Sequence, residues 1–417
     1  MKKLDYQEKA ISKLIQSSNE LLSLSGHHSI VFKSPTGSGK TIMLAEFLQR
    51  FIKNRNDNKQ FAFIWAAPRK LHEQSRSSLA SHYASSLSIK CSFFGDLLNK
   101  SITSNEILFL NWESINKKGN IYYRENEQEF YLEKIIENTK NNLLKLILII
   151  DESHHTAGSE NSKGLMDMIS PDLSILVSAT PVNIQYDDSV IVHRQHVIEE
   201  GMIKKFISIN PDFKNIISST PSGGLKLTGD AQESTDEFIV KQALLKREYL
   251  LNLFKTLSVD INPLLLIQLP DKMGKEDVFL TKIVSILKKR HQIDTDNGRL
   301  AIYLDKDKTN LAAIEKNNSS VDVMIFKQAI SLGWDCPRAH VLALFRNWSS
   351  VVFSVQTVGR IMRMPERKHY EIEDLNIGYI FSNSGEIEIH EDITDGYSTV
   401  FQSKRNEEIY ENQNLLS

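Results

Sequence analysis

The run SPTGSGKT, Ser34 to Thr41, joins a short apolar segment (SIVFK) to a helix-like one (TIMLAEFLQRF). A strand, a small-residue loop and a helix in that order form a cradle for an oxyanion. Thr36, Gly37, Ser38 and Gly39 let backbone N–H groups curl around a phosphate, Lys40 reaches its terminal oxygens, and Thr41 can ligate Mg2+. The strict pattern GxxxxGK[ST] has glycine where Ser34 stands, but Gly37 and Gly39 still supply the bends.

The segments that follow extend the same grammar. QFAFIWAAP (60–68), KCSFFG (90–95), ILFLNW (107–112), KLILIID (145–151) and SILVSAT (174–180) are apolar throughout rather than alternating, as strands buried on both faces are. Helix-like intervals separate several of them, so a parallel sheet with crossover helices is expected. After a polar, Ser- and Gly-rich interval the pattern restarts with a long helix-like stretch and the strands PLLLIQL, RLAIYL, VDVMIFK, VLALFRNW and GYIFS. The expected layout is α/β with two tandem domains, each a mainly parallel sheet flanked by helices. Residues 1–205 form the first, 206–238 a linker or exposed insertion, and 239–417 the second, whose tail after about 384 is given only a surface position.

With 41% apolar and 24% charged residues the chain has the composition of a soluble globular protein, which excludes extensive disorder. Its net charge of −2 means that any nucleic acid must be met by a local basic groove rather than by bulk attraction. Cys91 and Cys336, the two cysteines, have no companions at metal spacing and read as buried thiols in a reducing compartment. The start MKKLDYQEKA lacks the apolar core of a leader, and no apolar run reaches the roughly 18 residues of a membrane span, so a cytoplasmic location is expected.

Further chemistry gathers at strand ends. Asp151 and Glu152 follow the most apolar strand, where a parallel sheet binds ligands. Asp151 can hold Mg2+ through its water shell, and Glu152 can polarise water attacking a γ-phosphate. Ser178 and Thr180 close the next strand with hydroxyls able to link that site to a moving part. In the second half, Gly333 permits a sharp bend and Asp335 can accept from a ribose hydroxyl or from an arginine. Gln356, Arg360 and Arg363 fall at spacings of four and three, hence on one helical face, as groups that neutralise charge on a transferred phosphoryl do.

Taken in order, Gln7, SPTGSGKT, APRK, DESHH, SAT, LGWD and QTVGRIMR resemble the superfamily 2 helicase motor of two RecA-like domains. NWESINKK, VIEEGMIKK, ISLGWDCPRA and QTVGRIMRMP narrow the resemblance to the helicase subunit of type III restriction enzymes and related phage-defence helicases. The resemblance implies ATP and Mg2+ as cofactors, with Gln7 reading adenine and Tyr6 nearby. It implies Lys40, Thr41, Asp151 and Glu152 at the hydrolytic site, His154, Ser178 and Thr180 as couplers, and Gln356, Arg360 and Arg363 closing from the second domain. Pro68, Arg69 and Lys70 match the segment that touches the backbone of the tracked strand. Type III subunits continue into a nuclease domain, whereas this sequence stops about fifty residues after Arg363 with no acid pair followed by ExK. The expected function is thus an ATP-driven DNA helicase or translocase with a protein partner that supplies nuclease or recognition function. A nucleotide-controlled clamp and an RNA helicase are the alternatives.

Overall fold

The computed structural model describes residues 4–53, 59–68, 70–86, 88–111, 132–153, 166–179, 185–211, 217–219, 225–227, 234–270, 276–304, 307–327, 334–345, 358–382, 387–390 and 400–403. The chain divides into two compact units, Met1–His196 and Val197–Ser417.

In the first unit, β1 (His28–Lys33), β2 (Phe61–Ala67), β3 (Lys90–Ser92), β4 (Glu106–Asn111), β5 (Lys145–Ile150), β6 (Leu173–Ser178) and β7 (Asp188–Ile191) lie in the order β3-β4-β2-β5-β6-β1-β7. All of these pairings are parallel. Every residue of β2 and β6 is buried, which is why these runs show no polar alternation. The helices α1 (Asp5–Leu21), α2 (Lys40–Lys53), α3 (Leu71–Tyr83) and α4 (Leu132–Asn141) accompany the sheet. Phe47, Phe51 and Phe61 pack together beneath α2, with Phe51 edge-on to Phe61 at 5.1 Å. Each fully buried ring of this kind contributes about 1.5–3 kcal/mol. A short helix α5 (Arg194–Glu199) spans the division between the units.

The second unit repeats the plan. Here β8 (Phe206–Ile209), β11 (Leu264–Gln268), β12 (Leu300–Tyr303), β13 (Lys308–Thr309), β14 (Val323–Phe326), β15 (Ala339–Leu344) and β16 (Ile377–Ser382) take the order β13-β12-β14-β11-β15-β16-β8. Only the edge strand β13 is antiparallel among these described pairings. The helices are α6 (Thr235–Thr256) and α7 (Glu276–His291); Ser234 caps α6, its hydroxyl accepting from the Glu237 amide. Buried charge is woven into this core. Arg247 pairs with Asp322, to which Arg299 also donates at 2.6 Å, and buried Arg338 donates to the carbonyls of Ile314, Asn262 and Val321.

The structure adds detail to the expected layout. The division falls at His196/Val197 rather than at 205, and Phe206–Ile209, expected in a linker, is an edge strand hydrogen-bonded to β16. Its four residues carry too little pattern to announce a strand; pairing across some 170 residues makes it one. Within the polar interval, β9 (Ile217–Ser219) and β10 (Leu225–Leu227) form an antiparallel pair, and in the tail β17 (Ile387–His390) pairs with β18 (Val400–Ser403). Cys336 is buried as expected but Cys91 is only partly so. No helix among the described residues is long and apolar enough to cross a membrane.

Candidate nucleotide-binding site

Because β5, β6 and β1 are neighbours and parallel, their C-terminal ends bring three loops together. The Ser34–Thr41 loop leaves β1 at one of these ends. Its first amide, Ser34 N–H, donates to the Ser178 carbonyl at 3.0 Å, tying it to the end of β6. Gly37 and Gly39 have φ of 87° and 88°, a region L-residues rarely adopt, so the two glycines provide the bends. Ser34 earns its place differently: its hydroxyl and that of Ser38, both buried, lie 2.6 Å apart and staple the loop across its base.

The loop is also clipped from α1. Tyr6 OH and Gln7 Nε2 donate to the Ser38 carbonyl at 2.6 and 3.0 Å, and Glu8 binds Arg50 of α2 through both guanidinium nitrogens. A Cβ on Gly39 would sit 2.7 Å from Gln7 Nε2, so the clip and the glycine require each other. Lys40, at the start of α2, donates to the Ser34 and Pro35 carbonyls at 3.1 and 3.5 Å. Thr36 and Thr41 are half-buried on the same loop and the first turn of the helix.

Asp151 follows β5 and is buried, its amide donating to the Ala66 carbonyl at 2.9 Å. Burial, reinforced by the neighbouring Glu152 carboxylate, pushes Asp151 up to about 7; the Lys40 ammonium and the Glu152 amide pull the other way but lose. Glu152 itself takes φ of 52°, an uncommon conformation for a non-glycine residue and one that costs of order 1 kcal/mol at a turn. A divalent cation beside Asp151 would reverse the penalty on its charge. The described residues contain no group of three or more His, Cys, Asp or Glu able to enclose a metal. What fits is an ion held by one carboxylate, the Thr41 hydroxyl, phosphate oxygens and water, the usual manner of Mg2+.

Of the segment expected to touch a strand, Pro68 is buried at the end of β2 and Lys70 is exposed directly before α3; Arg69 lies outside the described residues. Beside them opens a cavity of about 490 Å3 lined by His72, Phe93, Phe94 and Asn111 among others, with the Arg76 guanidinium 4.4 Å over the Phe93 ring. Nothing in the sequence marks this cavity, because its lining comes from separate elements.

In the second unit Arg360 is buried and donates to the Trp334 carbonyl at 3.3 Å, while Arg363 forms an ion pair with Asp335. Of the two acceptor roles open to Asp335, an arginine takes it in this structure. The pair is half-exposed on the Asp335 side, so it is worth little and readily exchanged. His154, Thr180, Gly333 and Gln356 lie outside the described residues.

Residues 1–183 match the family described as the res subunit of type III restriction enzymes. No curated protein matches the chain. Among solved structures, the ATP-dependent type ISP restriction-modification enzyme LlaBIII bound to DNA is 13% identical with a TM-score of 0.52, covering 95% of this chain and 28% of that one. RecG bound to a three-way DNA junction is 13% identical with a TM-score of 0.51, covering 92% of this chain and 44% of that one. A fragment of a putative HsdR subunit of a type I restriction enzyme from Vibrio vulnificus YJ016 is 17% identical with a TM-score of 0.49, over 90% and 63% of the two chains. The chain thus spans less than two thirds of each of these structures. The likeness to the first two establishes the fold: two RecA-like α/β domains in tandem.

Proposed function

We propose an ATP-hydrolysing DNA helicase or translocase motor, on the match of residues 1–183 to the res-subunit family of type III restriction enzymes and a fold of two RecA-like units. The observation that carries this reading is the meeting, at the ends of β1 and β5 on either side of β6 in one sheet, of the Lys40 loop and a buried Asp151 whose charge burial opposes more than its neighbours offset. Thr36, Gly37, Ser38, Gly39 and Lys40 bind the phosphates, Thr41 and Asp151 hold Mg2+, Glu152 orients the attacking water, and Gln7 reads the adenine. The bound ion supplies charge neutralisation at the phosphates. Ser178, Thr180 and His154 couple hydrolysis to movement. Gln356, Arg360 and Arg363 neutralise charge developing on the phosphoryl group, an effect worth about 10³–10⁵ in rate. Pro68, Arg69 and Lys70 hold the sugar-phosphate backbone, so binding is largely sequence-blind and weakens with salt. Gly333 and Asp335 complete the nucleotide side in the second unit. The motor works in the cytoplasm in a restriction or phage-defence system, with a protein partner that cuts or recognises.

A slow clamp, which binds strand under nucleotide control and licenses a partner without unwinding, is the second reading. ATP hydrolysis measured with no nucleic acid, single-stranded DNA, duplex DNA and RNA, alongside strand displacement, separates these readings. The motor predicts stimulation of at least about tenfold by DNA together with displacement. Stimulation greatest with RNA makes it an RNA helicase, nucleotide-dependent strand binding without displacement makes it a clamp, and hydrolysis indifferent to every nucleic acid contradicts all three.

A further inference from the structure

The second unit buries a lysine whose acceptors are all backbone carbonyls. Lys204 is fully buried, and its ammonium donates to the carbonyls of Ala339 and Arg363, each at 3.1 Å, and of Ile361. Among the described residues no carboxylate pairs with it. Its amide donates to the Met362 carbonyl at 2.6 Å, and the Met364 amide donates to Met202 at 3.2 Å. Residues 202–204 therefore lie antiparallel along 362–364, with an isolated bridge between Ile203 and Arg363. Gly201 permits the approach: a Cβ there would meet the backbone of Lys368 and His369 at 2.9 Å.

The acceptors explain what an uncompensated cation is doing there. Residues 358–361 are the described end of a helix, and Ile361 and Arg363 carry carbonyls at and just past its C-terminus, where no further turn supplies donors. A lysine at that end supplies donors to carbonyls that otherwise have none from a further turn. Three N–H donors meet three carbonyls, the complete donor set of an ammonium. Burial pushes the Lys204 pKa well below its ordinary value, so the carbonyl dipoles oppose a strong desolvation penalty. The third acceptor, Ala339, begins β15, which fixes the helix end to the sheet.

We propose that Lys204 is a positioning residue for hydrolysis: it pins the segment bearing Arg360 and Arg363 to the start of β15 and sets where those guanidinium groups are presented. Lys204 stands eight residues past His196, the last residue of the first unit, so the chain entering the second unit runs directly to the arginine segment. This role rests on the motor reading given above.

The test is steady-state ATP hydrolysis, stimulated by single-stranded DNA, for wild type, Lys204→Met, Arg360→Ala and the double variant, with Lys40→Ala as reference. Misplacing the arginines predicts a fall in kcat of about 10–100-fold for Lys204→Met while KM for ATP stays within about threefold. The double variant should be no slower than Arg360→Ala, because Lys204 acts through that segment. A folded Lys204→Met with wild-type kcat, or losses that multiply in the double variant, overturns the proposal. Should Lys204→Met not fold, NMR of wild-type protein labelled with 15N at lysine Nζ decides. A slowly exchanging Lys204 signal that shifts when strand and a non-hydrolysable ATP analogue are added supports the role, and one that exchanges like exposed lysines or ignores both ligands overturns it. If Lys40→Ala hydrolyses as fast as wild type, the motor reading itself falls. If Lys40→Ala is dead and Lys204→Met is not, only the present inference does.

Discussion

The first sheet buries two carboxylates, one at each end of its strands, and the fold treats them oppositely. Glu106 begins β4 with a fully buried side chain, yet it accepts from Ser92 Oγ and Thr103 Oγ1 at 2.6 Å, from the Thr103 amide at 2.9 Å and from Lys90 at 2.8 Å. Burial pushes its pKa up, but those donors pull further, and it ends below the ordinary value. Asp151, at the end of β5, has the Glu152 amide at 3.0 Å and is left at about 7. One acid is a finished structural joint. The other keeps a charge that the fold opposes and that a proton or a bound cation would neutralise, as at functional sites.

Exchanging each acid for its amide breaks the comparison most sharply. Asp151→Asn should lower strand-stimulated ATP hydrolysis by about 10³-fold, since it removes the carboxylate proposed to hold Mg2+, whereas Glu106→Gln should stay within about twofold of wild type. Stability should move the other way. In chemical denaturation, Glu106→Gln should lose about 2–3 kcal/mol, as Lys90, Ser92 and Thr103 keep donors with a poorer acceptor. Asp151→Asn should gain about 1–3 kcal/mol at pH 8 by removing a charge that the fold opposes.

Titration sharpens the same contrast. Asp151 in the folded chain holds its proton up to about 7, while the unfolded chain releases it near 3.8, so this group makes stability fall as pH rises between those values. Glu106 is lowered on folding, so its contribution is present above the unfolded value and is lost as pH falls through the folded one. Denaturation of Asp151→Asn and wild type from pH 4 to 8 should therefore diverge toward neutral pH. Because the ion needs the ionised acid, affinity for Mg2+ with nucleotide should weaken about tenfold from pH 8 to pH 6 in wild type. The smallest effect concerns the loop. Gly39→Ala forces a side chain into φ of 88° against Gln7, and should cost about 1–2 kcal/mol of stability in thermal denaturation.

What the sequence disclosed were features written in consecutive residues. SPTGSGKT announces a loop between strand and helix, and KLILIIDE places an acid after a buried strand, because each stretch carries both its own secondary structure and its chemistry. Features completed across the chain stayed hidden. The edge strands β7 and β8 have four residues each and depend on β1 and β16 for pairing. Nothing in the sequence marks Glu106, Arg247, Arg338 or Lys204 as buried, because the groups that satisfy them come from other elements. The Tyr6 and Gln7 clip to the Ser38 carbonyl joins residues more than thirty positions apart, with no pattern linking them.

The most direct measurement is calorimetry of Mg2+ with a non-hydrolysable ATP analogue binding to wild type, Asp151→Asn and Glu106→Gln at pH 7, in two buffers of different ionisation enthalpy. With Asp151 at about 7, wild type should release about half a proton more than Asp151→Asn on binding, and Glu106→Gln should match wild type. Equal affinity and equal proton release in wild type and Asp151→Asn, or no binding by wild type, would contradict the assignment of this strand end as the nucleotide and metal site.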